Sequence, residues 1–302
     1  MRFVLVLAVS LVLTAVALAG NPPDPVETHV IATGSAPCGT TVARGAVWVG
    51  VYGTGKLLRL DPDTGRVTRR IPIGSSACRV AVDRRAAWVT RDRAGELVRV
   101  DLDTGRLRRL DVGASPFDVI LAFGAIWVTS FEDGTVTRID PVTRRVTQVY
   151  EVGPNPAGIT GCGGRIWVGH GREATRVTSI DPATHRLRRL DVGTKTPGWP
   201  SCVFGELWVT TPRGVLRVDA RSGKVRARVR LGGTPAEAAT GPDGLVWVTD
   251  KERSLVHRIY AEDAAVVDSF AAGPGAYSLA RVDGGMWITS FAGADIRRYE
   301  RR

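Results

Sequence analysis

Seven tryptophans at a step of about 40 residues, four short β-type runs between successive tryptophans, and no stretch with helical apolar spacing predict an all-β chain. The fold class that meets all three observations is a seven-bladed β-propeller, with four antiparallel strands per blade and an N-terminal strand that closes the ring by joining the last blade. The tryptophans are Trp48, Trp88, Trp127, Trp167, Trp208, Trp247 and Trp287. Each follows an apolar residue and precedes Val or Ile. A fixed period of this length means one supersecondary unit copied along the chain.

Within a repeat, the second copy shows the pattern. Its runs fall at 79–82, 86–91, 96–101 and 107–112, rich in Val and Leu and bounded by turn residues. The turn between the third and fourth runs reads Asp61-Pro62-Asp63-Thr64-Gly65 in the first copy, and it recurs from Asp101, Asp140, Asp181 and Asp219. Asp accepts a hydrogen bond from a backbone N–H two residues on, Pro presets φ, and Gly supplies a positive φ, which together make a tight hairpin loop. The sixth copy, Tyr260 to Ala264, keeps the spacing without the signature. The runs are apolar rather than alternating, as sheets covered on both faces require. The repeated tryptophan is the large wedge between neighbouring blades. Its burial covers about 150–250 Å², and truncation to Ala costs roughly 3–5 kcal/mol.

After Trp287 only two runs remain, 286–291 and 295–299, so the seventh blade lacks a strand. The segment 27–32 has no blade of its own and supplies it, which ties the two ends of the chain together. The period makes residues 20–302 a single domain. Residues 1–19 read as a signal peptide: Met1-Arg2, the apolar run 3–13, then Ala17-Leu18-Ala19, with cleavage after Ala19. The rival reading is a retained anchor, since 3–19 is about the shortest length that spans a bilayer. Export places the protein in the secreted or periplasmic/cell-envelope space, with no membrane contact after cleavage.

An even number of cysteines in an oxidising compartment suggests disulfides. Cys38 and Cys78 lie ten residues before their tryptophans in adjacent copies, and Cys162 and Cys202 lie five and six before theirs. The favoured pairs are Cys38–Cys78 and Cys162–Cys202, each worth at most about 4 kcal/mol in the chain-entropy model. The alternative is buried free thiols. No Cys-x-x-Cys or Cys/His cluster suggests zinc.

The net charge is +11. Much of it lies on fourth strands, at Arg69-Arg70, Arg108-Arg109, Arg188-Arg189 and Lys224 to Arg230. Charged outer strands keep sheets from pairing with other chains. A basic perimeter also fits an anionic envelope polymer. Nucleic acid is excluded as a partner for an exported chain without interleaved stacking aromatics.

Function is sought where the copies differ. Two loop positions face one end of the central channel: the start of the first strand and the end of the second. The second variable residue at the start is Gly39, Arg79, Asp118, Gly158, Trp199, Glu237 and Tyr277. Three or four residues past the tryptophans come Tyr52, Arg91 with Asp92, Phe131, His170, Thr211, Asp250 with Lys251, and Phe291. This mixed ring is the candidate ligand site. Trp199, outside the repeat, is a stacking wall for a flat or sugar-like ligand, or else loop packing. His170 is the candidate for an acid–base group, against a solvated loop histidine. No nucleophile elbow, P-loop, dinucleotide fingerprint or metal-ligand spacing is present.

The units Ala125-Ile126-Trp127-Val128-Thr129, Arg138-Ile139-Asp140-Pro141 and Val-Gly-x-x-Pro resemble the bacterial YVTN-type propeller repeat and its virginiamycin B lyase-like relatives, across about residues 27–300. The resemblance implies a propeller. For activity it implies a C–O lyase that opens cyclic streptogramins with histidine and glutamate at the channel mouth and a divalent metal such as Mg. The matching positions here are Cys38, Cys78, Phe117, Ala157, Gly198, Ala236 and Ala276, none of them histidine, and the one Glu-x-His, Glu27-Thr28-His29, falls in the outer N-terminal strand. The favoured reading is therefore an exported, monomeric, non-catalytic binding module without a cofactor, taking a small molecule or protein partner at the channel mouth. The alternative is a metal-assisted lyase with rearranged residues: His170 as base, and Asp118, Glu237 or Asp250 as acid or metal ligands.

Overall fold

The computed structural model describes residues 22–172 and 174–301; the expected signal, 1–19, lies outside the described residues. Seven four-stranded antiparallel sheets follow one another along the chain. Blades 1 to 6 span residues 37–72, 77–111, 116–151, 156–191, 200–230 and 235–271. Blade 7 takes three strands from 276–300, and its outermost strand is Val26–Ala32, paired antiparallel with Asp295–Glu300. No α-helix occurs among the described residues; Asp92–Ala94 forms a single 3-10 turn. In the second blade the first strand begins at Ala77, two residues before the sequence suggests, and the fourth ends at Asp111.

Each tryptophan of the repeat is fully buried and packs into the next blade. Trp48 lies with Ala77, Val80, Ala87 and Val98 of blade 2, and Trp287 lies with Val47, Val49 and Leu58 of blade 1. The core is therefore a ring of seven similar clusters rather than one centre. Across from six of the tryptophans the third strand carries arginine: Arg59, Arg99, Arg138, Arg217, Arg258 and Arg298. Arg59, Arg99 and Arg138 place their guanidinium carbons 5.7–5.9 Å from the indole centroids. These arginines account for part of the positive charge as packing, with their stems along apolar surface.

The Asp-led turns form as expected. The Asp61 Oδ1 accepts the N–H groups of Asp63 (3.1 Å) and Thr64 (2.9 Å), and those bonds, Thr64 foremost, hold its carboxyl below the usual range. Gly65 closes the loop at φ 67°.

A hydroxyl in five second strands ties the inner strands together. Thr90, Thr129, Thr210, Thr249 and Thr289 each accept the backbone N–H of the inner strand of their own blade, at 2.9–3.2 Å. Thr129, Thr249 and Thr289 also donate to the following blade, at the carbonyls of Ala157, Tyr277 and Cys38. In blades 1 and 4 the position is Gly50 and Gly169, where a Cβ would collide with the carbonyls of Cys78 and Gly198. These two seams carry the disulfides. Cys38–Cys78 joins blades 1 and 2 with Cα atoms 4.9 Å apart, and Cys162–Cys202 joins blades 4 and 5 at 5.4 Å. Both seams that lack the threonine thus carry a covalent bridge between their inner strands.

Candidate functional site

First and third strands run away from the channel mouth, and second and fourth strands run back toward it. The mouth is therefore built from the loops before first strands and after second strands, and the opposite, basal face from the hairpin tips. At the mouth, five half-buried rings form a continuous arc. Phe131 and Phe117 have centroids 5.2 Å apart, Phe117 and Trp199 5.3 Å, Trp199 and Tyr277 6.0 Å, and Tyr277 and Phe291 5.9 Å. Offset and tilted geometries of this kind are the favourable ones. Above the arc, on blades 3 to 6, opens a cavity of about 560 Å³ lined by Phe117, Phe131, Trp199, Pro212, Arg213 and Glu252 among others.

Trp199 separates that cavity from a second one of about 480 Å³ inside the channel, lined by Thr40, Arg79, Asp118, Ser201, Glu237 and Arg281 among others. The indole can sit across the channel because Gly158 faces it; a Cβ there would come within 2.7 Å of the ring. Beneath it, the Arg79 guanidinium carbon lies 5.0 Å from the Trp199 centroid and 5.1 Å from that of Tyr277. Arg79 Nη1 donates to Glu237 Oε2 at 2.8 Å and to Ser278 Oγ at 3.2 Å, and its Nε stands 3.9 Å from Asp118 Oδ1. Asp118 accepts the N–H of Val119 (2.9 Å) and, across the seam to blade 4, that of Ile159 (3.0 Å). Burial pushes its carboxyl up, to about 6, against the pull of Arg79. One cation and two carboxylates at the hub thus bind five blades together, through Arg79, Asp118, Ile159, Glu237 and Ser278.

Of the ring read from sequence spacing, the structure gives Tyr277 a different register and turns three residues away from the mouth. Strand pairing matches Ala276 with Ser290 as it matches Pro37 with Val51, so the blade-7 counterpart of Arg79 is Ser278, and Tyr277 is the counterpart of Phe117. The other three corrections share one cause. Side chains alternate along a strand, so in these three blades the third residue past the tryptophan turns away from the channel while the fourth reaches the mouth; Thr211, the third-position residue of blade 5, borders the mouth cavity with its Oγ1 donating to the Gly214 carbonyl at 3.1 Å. His170 is a third-position residue and is fully buried, not solvated. Its Nδ1 lies 2.8 Å from the Pro154 carbonyl and its Nε2 2.9 Å from Thr178 Oγ1, which fixes the tautomer with hydrogen on Nδ1, and burial lowers its pKa. Asp250 is likewise buried; its Oδ1 accepts the N–H groups of Thr234, Glu252 and Arg253, and its Oδ2 faces His257 Nε2 at 3.4 Å. Arg91 turns outward to the Ser75 carbonyl and to Glu96.

The fourth-position residues Tyr52, Phe131, Lys251 and Phe291 do reach the mouth. Tyr52 donates to Asp92 at 3.2 Å, and Lys251 Nζ lies 5.8 Å from the Tyr277 centroid. Ser278 and Arg213 also belong to the site, as does Phe117, which the sequence marks only as a channel-mouth position of the resemblance and not as part of the ring; register along the inner strand is the signal that finds Phe117 and Ser278.

The donor set does not suit a resident divalent metal. Both Asp118 oxygens are taken by backbone N–H groups, Glu237 is paired with Arg79, and both nitrogens of His170 are occupied. Among the described residues no group of three or more His, Cys, Asp or Glu gathers where a metal could be held.

This is a seven-bladed β-propeller with an aromatic mouth over an ionic hub. No family model and no curated protein matches the sequence. Solved structures do match the fold. A streptogramin B lyase aligns at TM-score 0.78 and 16% identity over 91% of this chain and 98% of that one. A catalytically inactive virginiamycin B lyase from Staphylococcus aureus with quinupristin aligns at 0.79 and 16%, over 91% and 98%. The hydrazine synthase of Kuenenia stuttgartiensis aligns at 0.78 and 14%, over 90% and 97%. At such identities the likeness is one of fold, and propellers carry unrelated functions.

Proposed function

We propose that this protein is an exported binding module that holds a small ligand with a flat or ring-shaped face in the mouth cavity, against Trp199, Phe117 and Phe131. The observation that carries the reading is the aromatic arc. It presents half-buried rings to an open cavity of about 560 Å³, the size and polarity of a small-molecule site. Two inter-blade disulfides support export after removal of the signal at Ala19. The lyase reading has less to stand on, because the histidine it needs as a base is locked inside blade 4 and the hub carboxylates are engaged.

The test is a thermal-shift screen of planar aromatic and ring-sugar probes against wild type and Trp199→Ala. A probe at a hundred times its Kd adds about 2.7 kcal/mol, read as a rise of several degrees that Trp199→Ala abolishes. Shifts that survive in Trp199→Ala overturn the assignment. Incubating quinupristin with the protein and Mg²⁺ addresses the alternative: an unchanged chromatographic retention is expected, and a ring-opened product would establish the lyase.

A further inference from the structure

Among the described residues, the large apolar side chains that stand exposed avoid the mouth altogether. They lie at basal turns, at the basal ends of strands, or on outermost strands: Val42 at 38% exposure, Leu121 at 43%, Phe123 at 46%, Phe204 at 51% and Val142 at 80% are basal. Two of them occupy a costly backbone. The tips joining first and second strands are two-residue loops, set by the pairs Ala122–Ala125 and Val203–Glu206. Their leading residues, Phe123 and Phe204, have φ of 49° and 52°. That conformation suits Asn, Asp or Gly, and a bulky residue there is strained. The same tip position holds Gly163 in blade 4 and the polar Arg44, at φ 54°, in blade 1, so only blades 3 and 5 place an aromatic there. Two phenylalanines projected from strained tips on one face are not explained by folding.

Beside Leu121 and Val142, a groove of about 500 Å³ between blades 2 and 3 is lined by Arg84, Arg85, Arg99 and Arg144 and a single carboxylate, Asp83. Asp83 is occupied by the N–H groups of Arg85, Ala86 and the Trp88 indole. Arg84, Arg85 and Arg144 make no ion pair among the described residues; Arg99 pairs with Asp101 through Nη1 at 3.4 Å and leaves only its buried Nε without a partner. The chain also joins the fold on this face. The carbonyls of Pro22 and Pro23 accept from the buried Arg258 at 2.9 and 2.8 Å, and Arg258 also binds Asp243 of the basal tip of blade 6 at 3.3 Å. Residues 22 and 23, where the described chain begins, therefore lie at the basal rim.

We infer that the basal face docks on an anionic lipid bilayer, with Phe123 and Phe204 entering the interface, the arginine groove meeting headgroup phosphates, and the mouth turned to solvent. Apolar tips combined with unpaired basic groups are the chemistry of an interfacial contact. The position of residue 22 lets the same face rest on the membrane during export, whether or not the preceding segment is later removed. This reverses the expectation of no membrane contact after cleavage, and it is independent of what the mouth binds.

The test is cosedimentation of the protein, as the producing cell matures it, with vesicles of phosphatidylglycerol and phosphatidylcholine in equal parts, and with pure phosphatidylcholine. Binding to the anionic vesicles is expected, weakening with salt and losing about fivefold for each charge removed in Arg84→Ser and Arg85→Ser. Phe123→Asn with Phe204→Asn should abolish it while melting at or above the wild-type temperature, because Asn relaxes both tips. The inference is overturned if wild type ignores anionic vesicles, if the double Asn variant binds as well as wild type, or if soluble polyglutamate competes as strongly as lipid, which would make the occupant a polyanion.

Discussion

Removing Arg79 tests the hub directly. Its side chain is only 7% exposed, and it is the one cation between Glu237 and Asp118. Arg79→Met keeps the stem and deletes the charge, leaving both carboxylates beneath Trp199 without their counter-ion. Breaking a buried pair in this way costs about 3–5 kcal/mol, a fall in Tm on the order of 6–10 °C for a chain of this size. Adding Glu237→Gln should restore more than half of the loss, since the amide needs no cation. The dependence on pH has a definite sign. Asp118 has its pKa raised from 3.8 to about 6 in the fold. Its contribution, about 3 kcal/mol, is fully present below the unfolded value and is lost as pH rises through 6. Without Arg79 the carboxyl is raised further, so the gap between variant and wild type should be smaller at pH 5 than at pH 8. Urea titrations at the two pH values read this. A variant within about 2 °C of wild type at pH 8, or a gap that widens on acidification, refutes an ion cluster that holds the hub.

Other consequences are as testable. Replacing Cys38 and Cys78 together with Ser should cost up to about 4 kcal/mol by chain entropy, seen as a lower urea midpoint, whereas the same change at a seam carrying the threonine bridge, Thr129→Ala, should cost about 1–2 kcal/mol. Gly169→Ala should destabilise blade 4 against blade 5, because the added Cβ meets the Gly198 carbonyl; denaturation detects it, and an unaffected midpoint would contradict the tight seam. His170 and His257 are both buried with lowered pKa. Their contribution is lost as pH falls below the unfolded value near 6.5, and His170→Gln should flatten that acid limb when stability is measured between pH 7 and 5. Deleting residues 26–32 opens blade 7 and should leave little folded protein by circular dichroism.

The architecture was legible because it depends on repetition and local chemistry. The tryptophan period, the Asp-led turns and the missing fourth strand of the last blade are each a matter of counting along the chain, and Val26–Ala32 pairs where that count places it. The candidate site was less legible. His170 and Asp250 looked like channel residues because a spacing of three or four from Trp167 and Trp247 spans both faces of a strand, and one residue decides between solvent and core. Tyr277 was misplaced for a similar reason, since Ala276 rather than Gly275 takes the place of proline.

What the sequence by itself determined is the ring: a period, a closing strand and paired cysteines need only neighbours in sequence or in adjacent copies. What only the tertiary structure decided is the hub and the faces. Arg79, Asp118, Trp199, Glu237 and Tyr277 come from five different blades and meet only because a closed ring converges on its axis. Likewise, the separation of half-buried rings at the mouth from exposed phenylalanines at the base follows from strand direction around the ring, a property no single repeat possesses.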